Sequence, residues 1–209
     1  MNKGLKVILW IASIVVGTGA ILNLTVFEVW TVQSDDPVLS TSIEPTLRPG
    51  DVLLVSRSGG AHRGYLMRCA DPRASGRFVL GRAFGFPPEE LSVTNGLVLL
   101  DGKRNPSPRT CVNKSVYDPT LNEQTELGCA VEEVSQHTFE ILRDPKNKSV
   151  EYKKRVEDNR VFLISDNRAF HDDSRDYGDL DPNLCHHVLF RLWSAGGFSD
   201  DKHRFNIIW

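Results

Sequence analysis

Beyond residue 27 the chain lacks any long apolar stripe at helical spacing, and it contains no internal repeat and no low-complexity tract. A helical bundle and a repeat architecture are thereby set aside. Charge of one sign is not in excess either. The 25 Lys and Arg residues stand against 27 Asp and Glu, a net charge of -2, so nucleic acid is not an expected partner. Cysteine is scarce, four in 209 residues. Cys185-His186-His187 has adjacent ligands rather than the spacing of a metal site, so no metal and no cofactor is expected. Lysine is missing altogether from residues 49 to 102, an absence that bears on the chemistry.

Between Val7 and Phe27 charge is absent, and Val, Ile, Leu, Ala and Gly dominate. About 20 such residues at a rise of 1.5 Å cross a hydrocarbon core of roughly 30 Å. Trp10 and Trp30 stand near the two ends, where indoles favour the interface. Lys3 and Lys6 precede the run and nothing basic follows until Arg48. Positive charge on the N-terminal side predicts residues 1–6 in the cytoplasm, a membrane anchor over 7–27, and an exported body over 28–209. A cleaved leader ending near Gly17-Thr18-Gly19-Ala20 is the rival reading, and it too exports the body.

Within the body, short apolar runs alternate with turn residues. Val52-Leu53-Leu54-Val55 follows Pro49-Gly50-Asp51, Phe78-Val79-Leu80 precedes Gly81, Leu97-Val98-Leu99-Leu100 lies between Asn95-Gly96 and Asp101-Gly102, and Val161-Phe162-Leu163-Ile164 precedes Ser165-Asp166-Asn167. Such runs read as strands, and the class is mainly β. Residues from about 105 to 158 are more polar, punctuated by Asn-Pro-Ser-Pro and Asp-Pro-Lys-Asn, and read as an inserted subdomain rather than core. Cys111 and Cys129 lie in this insertion and would close a loop of moderate length on an oxidising side of the membrane; four unpaired thiols are the alternative.

Two segments carry the chemistry. The first is Leu39-Ser40-Thr41-Ser42-Ile43-Glu44-Pro45-Thr46-Leu47, followed by Gly50-Asp51. The second is Ser165-Asp166-Asn167-Arg168-Ala169-Phe170-His171-Asp172-Asp173-Ser174-Arg175-Asp176-Tyr177-Gly178. Singly they read as a turn and a solvated charged loop. Together, in this order and after an anchor, they resemble the type I signal peptidases of the bacterial kind. That family shows Ser-x-Ser-Met-x-Pro-Thr-Leu with Gly-Asp beyond it, and later Gly-Asp-Asn-x-x-x-Ser-x-Asp-Ser-Arg. Its middle Lys-Arg box matches Gly81-Arg82-Ala83-Phe84-Gly85-Phe86-Pro87-Pro88-Glu89. The resemblance runs from the anchor to about Ser194. It implies a signal-peptidase-like folded β-sheet core and a serine endopeptidase acting on exported preproteins at the outer face of a bacterial inner membrane. It also implies Ser42 as nucleophile, Ser40 with the Ser42 backbone N–H as oxyanion hole, and Arg82, Asp173, Ser174 and Arg175 as support.

The resemblance breaks at the general base. Gly81 occupies the position of the family's lysine, and Arg82 stays protonated and cannot take a proton. A serine without a partner is a weak nucleophile. His171, standing where the family has a serine, is the candidate substitute, since a neutral imidazole acts near pH 7 without burial. Ile43 for Met, Ser165 for Gly and Tyr65 after Gly64 are further departures. The alternative function is a catalytically inactive relative that binds signal sequences or a partner without cutting.

Overall fold

The structure is a computed structural model. It describes residues 3–57, 59–104, 109–118, 120–144, 151–201 and 203–208, with the side chains of all of these except 20–25. The turn punctuation at 105–108 and most of that at 144–147 lies outside the described residues.

The chain opens with α1 (Lys3–Thr25) and passes directly into β1 (Phe27–Thr31) and a short α2 (Pro37–Ser42). Then follow β2 (Val52–Ser56), β3 (Leu66–Ala70), β4 (Phe78–Gly85), β5 (Glu90–Thr94), β6 (Leu97–Leu100), β7 (Lys103–Arg104) and β8 (Arg109–Thr110). Next come β9 (Lys114–Asp118), β10 (Glu123–Val134), β11 (His137–Arg143), β12 (Tyr152–Arg155) and β13 (Phe162–Ile164). After α3 (Ser174–Tyr177), β14 (Cys185–Trp193) and β15 (Asn206–Ile207) complete the order. The expected class, mainly β, is what forms, and each of the four apolar runs lies in or on a strand.

One sheet has the order β1-β2-β14-β3-β4-β13, with β15 on β14. A second joins β12-β5-β6-β7. In a third, the long β10 pairs through Glu123–Leu127 with β9 and through Gly128–Val134 with β11. The clusters between these layers fix the site. Leu39 and Ile43 of the first segment pack with Leu53, Val55, Leu66, Leu80 and Val188, and each fully buried side chain of this size stabilises by about 1.5–3 kcal/mol. Phe84, Leu91, Val98, Ala130, Val134, Phe139, Ile141, Phe162 and Ile164 form a second cluster.

Two expectations are corrected here. The polar segment 105–158 is not all excursion: β10 and β11 lend Ala130, Val134, Phe139 and Ile141 to the core. Their apolar residues alternate with polar ones, as a half-buried antiparallel pair requires, which lowers the segment's average hydrophobicity. The expected anchor 7–27 is also redrawn, because the helix starts at Lys3 and Phe27 already belongs to β1, opposite Ser56. Among the described residues no helix is long and apolar enough to cross a membrane.

All four cysteines are bridged. Cys111–Cys129 is the pairing the sequence suggested, and Cys69–Cys185 joins direct cross-strand partners of β3 and β14. The second bridge spans 116 residues against 18 for the first. Loop-closure entropy then assigns it about 4–5 kcal/mol against about 3. Cys69→Ala with Cys185→Ala is expected to lower the melting temperature by roughly 8–20 °C, more than the Cys111/Cys129 double replacement. Equal or reversed losses in a thermal melt would contradict this ordering.

Candidate active site

The first segment is shaped by its own polar side chains. Asp36 caps α2, its carboxylate accepting from the backbone N–H of Val38 and Leu39 at 3.1 Å each, and Pro37 follows with φ preset for a helix. The helix is short because Glu44 precedes Pro45, and a residue before proline disfavours the helical region. Three consecutive hydroxyls turn back onto its carbonyls. Ser40 donates to Asp36 at 2.6 Å, Thr41 to Pro37 at 3.0 Å, and Ser42 to Leu39 at 2.9 Å. Ser42 is fully buried. Thr41 also reaches the carbonyl of Tyr117 at 3.2 Å, so β9 lies against α2.

The second segment docks directly on the first. Asn167 donates from its backbone to the Ser42 carbonyl at 3.1 Å and from its side chain to the Thr41 carbonyl at 3.0 Å. Asp166, almost wholly buried, accepts from Arg82 through Nε at 2.7 Å and Nη2 at 3.1 Å and from the Thr46 hydroxyl. One carboxylate thus ties the chain just past Ser42 to β4. Arg82 also donates to the Gly64 carbonyl at 3.0 Å and lies over the Phe139 ring at 3.8 Å. Arg168 pairs with Glu132 and donates to the Gly96 carbonyl at 3.0 Å.

The remaining supports expected from the sequence form one knot. Asp173 accepts from Arg175 through Nε at 2.9 Å and Nη2 at 2.7 Å, and from the Ser165 backbone at 2.8 Å. Burial pushes its carboxyl up, but the charge and hydrogen bonds of Arg175 outweigh this and hold it below the usual carboxylate value. The Ser174 hydroxyl accepts from the Leu163 backbone at 2.9 Å. Asp173 and Asp176 form a capping box at the start of α3. Arg82 takes Asp166 as its partner, and Asp173 takes Arg175.

His171 is about one-third exposed, and its Nδ1 lies 2.8 Å from Asp176 Oδ2. That same Oδ2 accepts the Asp173 backbone N–H at 3.0 Å. No hydrogen bond joins His171 to Ser42, whose hydroxyl is on Leu39. The ligand atoms of His171, Asp173 and Asp176 lie within 4.8 Å of one another, but Asp173 is already committed to Arg175. At Gly81, paired with Met67 across β3 and β4, an added Cβ would meet Leu163 Cβ at 3.1 Å and the Ile164 carbonyl at 3.3 Å. The space beside Gly81 is therefore held by β13.

Sequence reading missed three members of this neighbourhood. Asp176 follows His171 by five residues, and the Asp-x-x-Asp of the capping box was its only signal. Lys114, on β9, acts on Glu44, whose carboxyl burial pushes up against the pull of Arg48 and Lys114. Lys114 pairs with Glu140, and its approach depends on the β9–β10 fold-back. Arg191 is buried against Asp51 at 3.1 Å and donates to the Thr46 carbonyl. A cavity of about 290 Å³ beside Pro45 and Thr46 is lined by Arg82, Lys114, Phe139 and Arg191.

The family model for signal peptidase, peptidase S26, matches residues 7–190. No curated protein matches the chain.

Proposed function

The chain belongs to the signal peptidase family, peptidase S26, and from that premise we propose that it is a membrane-anchored serine endopeptidase that cuts signal peptides from exported preproteins, with Ser42 as nucleophile, His171 as base and Asp176 as the group that orients the base.

The observation that carries this reading is the 2.8 Å contact between His171 Nδ1 and Asp176 Oδ2. With Nδ1 turned to a carboxylate, Nε2 is the atom left to take a proton, which is the role division of a serine–histidine–acid relay. In the reaction Ser42 leaves the Leu39 carbonyl by a change of rotamer, attacks the scissile carbonyl carbon, and gives its proton to His171. Ser40, freed from the Asp36 carbonyl, then donates with the Ser42 N–H to the oxyanion. Catalytic contacts in an unliganded site are often open and tighten with substrate. The buried Asp166–Arg82–Thr46 bridge and the Asn167 contacts support the position of Ser42 throughout.

Placement at the membrane is part of the same proposal. The helix among the described residues is not long and apolar enough to cross a membrane by itself, so the anchor rests on the sequence: the uncharged run after Lys3 and Lys6 supports attachment with the catalytic domain on the periplasmic face of a bacterial inner membrane. Val7, Ile8, Leu9, Trp10, Ile11, Ile14, Val15 and Val16 of this helix are large, apolar and exposed, which suits contact with lipid. Preproteins and the bilayer are then the partners.

A second reading, binding without cleavage, is favoured by the Ser42 hydroxyl being fully buried and bonded to Leu39, and by Gly81 in place of lysine. A cleavage assay with the detergent-purified chain and a model preprotein separates the two. The first reading expects cleavage that Ser42→Ala abolishes. Capture of the preprotein with no product, from both proteins, would transfer the conclusion to the second.

A further inference from the structure

Three histidines from distant parts of the chain meet on one tyrosine, away from Ser42 and unused by the chemistry above. His187 of β14 stacks on Tyr65 with ring centres 4.2 Å apart and an interplanar angle of 21°. His137, the first residue of β11, meets the same ring edge-on at 5.0 Å. His62, in the segment leading to β3, meets it at 5.4 Å. We infer that His62, His137 and His187, gathered on Tyr65, form an acid-sensitive latch that fastens segment 61–65 to the turn before β11 and to β14, and that opens when the stacked His187 takes up a proton.

The place of the cluster gives it leverage. Gly64, with φ of +84°, sits so close to the turn before β11 that a Cβ there would meet the Val134 carbonyl at 3.0 Å. The rings of Tyr65 and His137 close over this same approach. The Gly64 carbonyl accepts from Arg82, and Arg82 lies over Phe139, two residues beyond His137. Loosening the latch therefore loosens two of the contacts that hold the arginine bound to Asp166.

Charge explains the direction. A neutral imidazole stacks on Tyr65 at little cost, whereas a protonated one would be half-buried beside two others of its kind. Burial first, and then His62 and His137, push His187 down to about 4 from the ordinary 6.5. Glu133 of β10 pairs with Thr138, next to His137, in the β10–β11 pair, and the nearby cations have carboxylates of their own. Arg63 is bound to Glu89 and the Phe84 carbonyl, and Arg68 and Arg57 to Glu28, with His186 on Arg68. Because the folded value lies below the ordinary one, the folded chain holds fewer protons. The stability His187 lends is then fully present above pH 6.5 and is lost as pH falls from about 6.5 towards 4.

The test compares melting temperatures of the full chain in detergent at pH 7.5 and pH 4.5, with hydrogen–deuterium exchange at both. His187→Phe keeps a stacked ring and removes the charge. It is expected to lose less stability on acidification than the parent, by roughly 3–8 °C. In the parent, exchange corrected for its intrinsic pH dependence should rise at 61–65 and 134–137. Should His187→Phe fail to fold, His62→Gln with His137→Gln removes the two neighbouring imidazoles, one exposed and one half-buried, and is expected to narrow the same difference. Acid sensitivity unchanged in these variants, or new exchange confined to other segments, would overturn the latch.

Discussion

Replacing Asp166 with alanine is expected to destabilise the fold by about 3–5 kcal/mol, a large loss for a single side chain in this region. Asp166 and Arg82 each have side chains only 1% exposed. Two charges removed from water hold together only through mutual attraction and saturated hydrogen bonding, and Asp166 supplies both Arg82 contacts. Without it, a guanidinium stays buried against Phe139 and loses the carboxylate that neutralises it, while contacts such as that to the Gly64 carbonyl are retained. The Thr46 hydroxyl loses its acceptor as well. The melting temperature should fall by roughly 6–20 °C. Because the penalty lies in a buried charge that has lost its counter-charge, Arg82→Met together with Asp166→Leu should recover much of it. A denaturation midpoint within about 1 kcal/mol of the parent would mean that water reaches this bridge.

The second large effect is catalytic. His171→Ala and Asp176→Asn are each expected to lower kcat by roughly 10²–10⁴ while leaving KM for the preprotein nearly unchanged. The asparagine variant is the more telling, because its carbonyl oxygen can still accept from the Asp173 N–H that Asp176 now receives at 3.0 Å. The capping box survives, and stability should stay within about 0.5 kcal/mol. What changes is the charge facing His171 Nδ1: the amide oxygen at the same place can still accept from it, but it no longer stabilises the imidazolium formed when Nε2 takes the proton. Since nucleophile and base act as a unit, Ser42→Ala combined with His171→Ala should be no slower than Ser42→Ala alone. Additive losses, or a stability loss that accounts for the activity loss, would assign His171 a structural role only.

How much of this could be read from the chain depends on the range of the interaction. The strands at Val52–Ser56 and Leu97–Leu100 were legible because local alternation and turn residues specify them. The pairing of the first segment with the second was legible only through resemblance, since the Asn167 side-chain contact to Thr41 joins residues 126 apart in the chain. Cys69–Cys185 was not legible: cysteines on neighbouring strands meet only when register is known, and β3 and β14 lie far apart in sequence. Arg82 was expected as a brace of the site, and its partner is Asp166, because β13 brings Ile164 opposite Arg82 and puts Asp166 just beyond. The core role of β10 and β11 was hidden by averaging over two faces, one buried and one wet. The hydroxyl bonds of Ser40 and Ser42 onto their own helix depend on the Asp36 cap, a signal present in the sequence as Asp36-Pro37 ahead of the serines.

The central claim, that Ser42 is a nucleophile served by His171, is tested most directly with a serine-directed acylating probe, using mass spectrometry to locate the adduct and time its formation. The account predicts a single adduct on Ser42 in the native, folded chain, formed at least 10²-fold more slowly in His171→Ala, in line with the loss of a general base. An unmodified Ser42 under conditions that label it only after unfolding, or labelling at the same rate in His171→Ala, would contradict it.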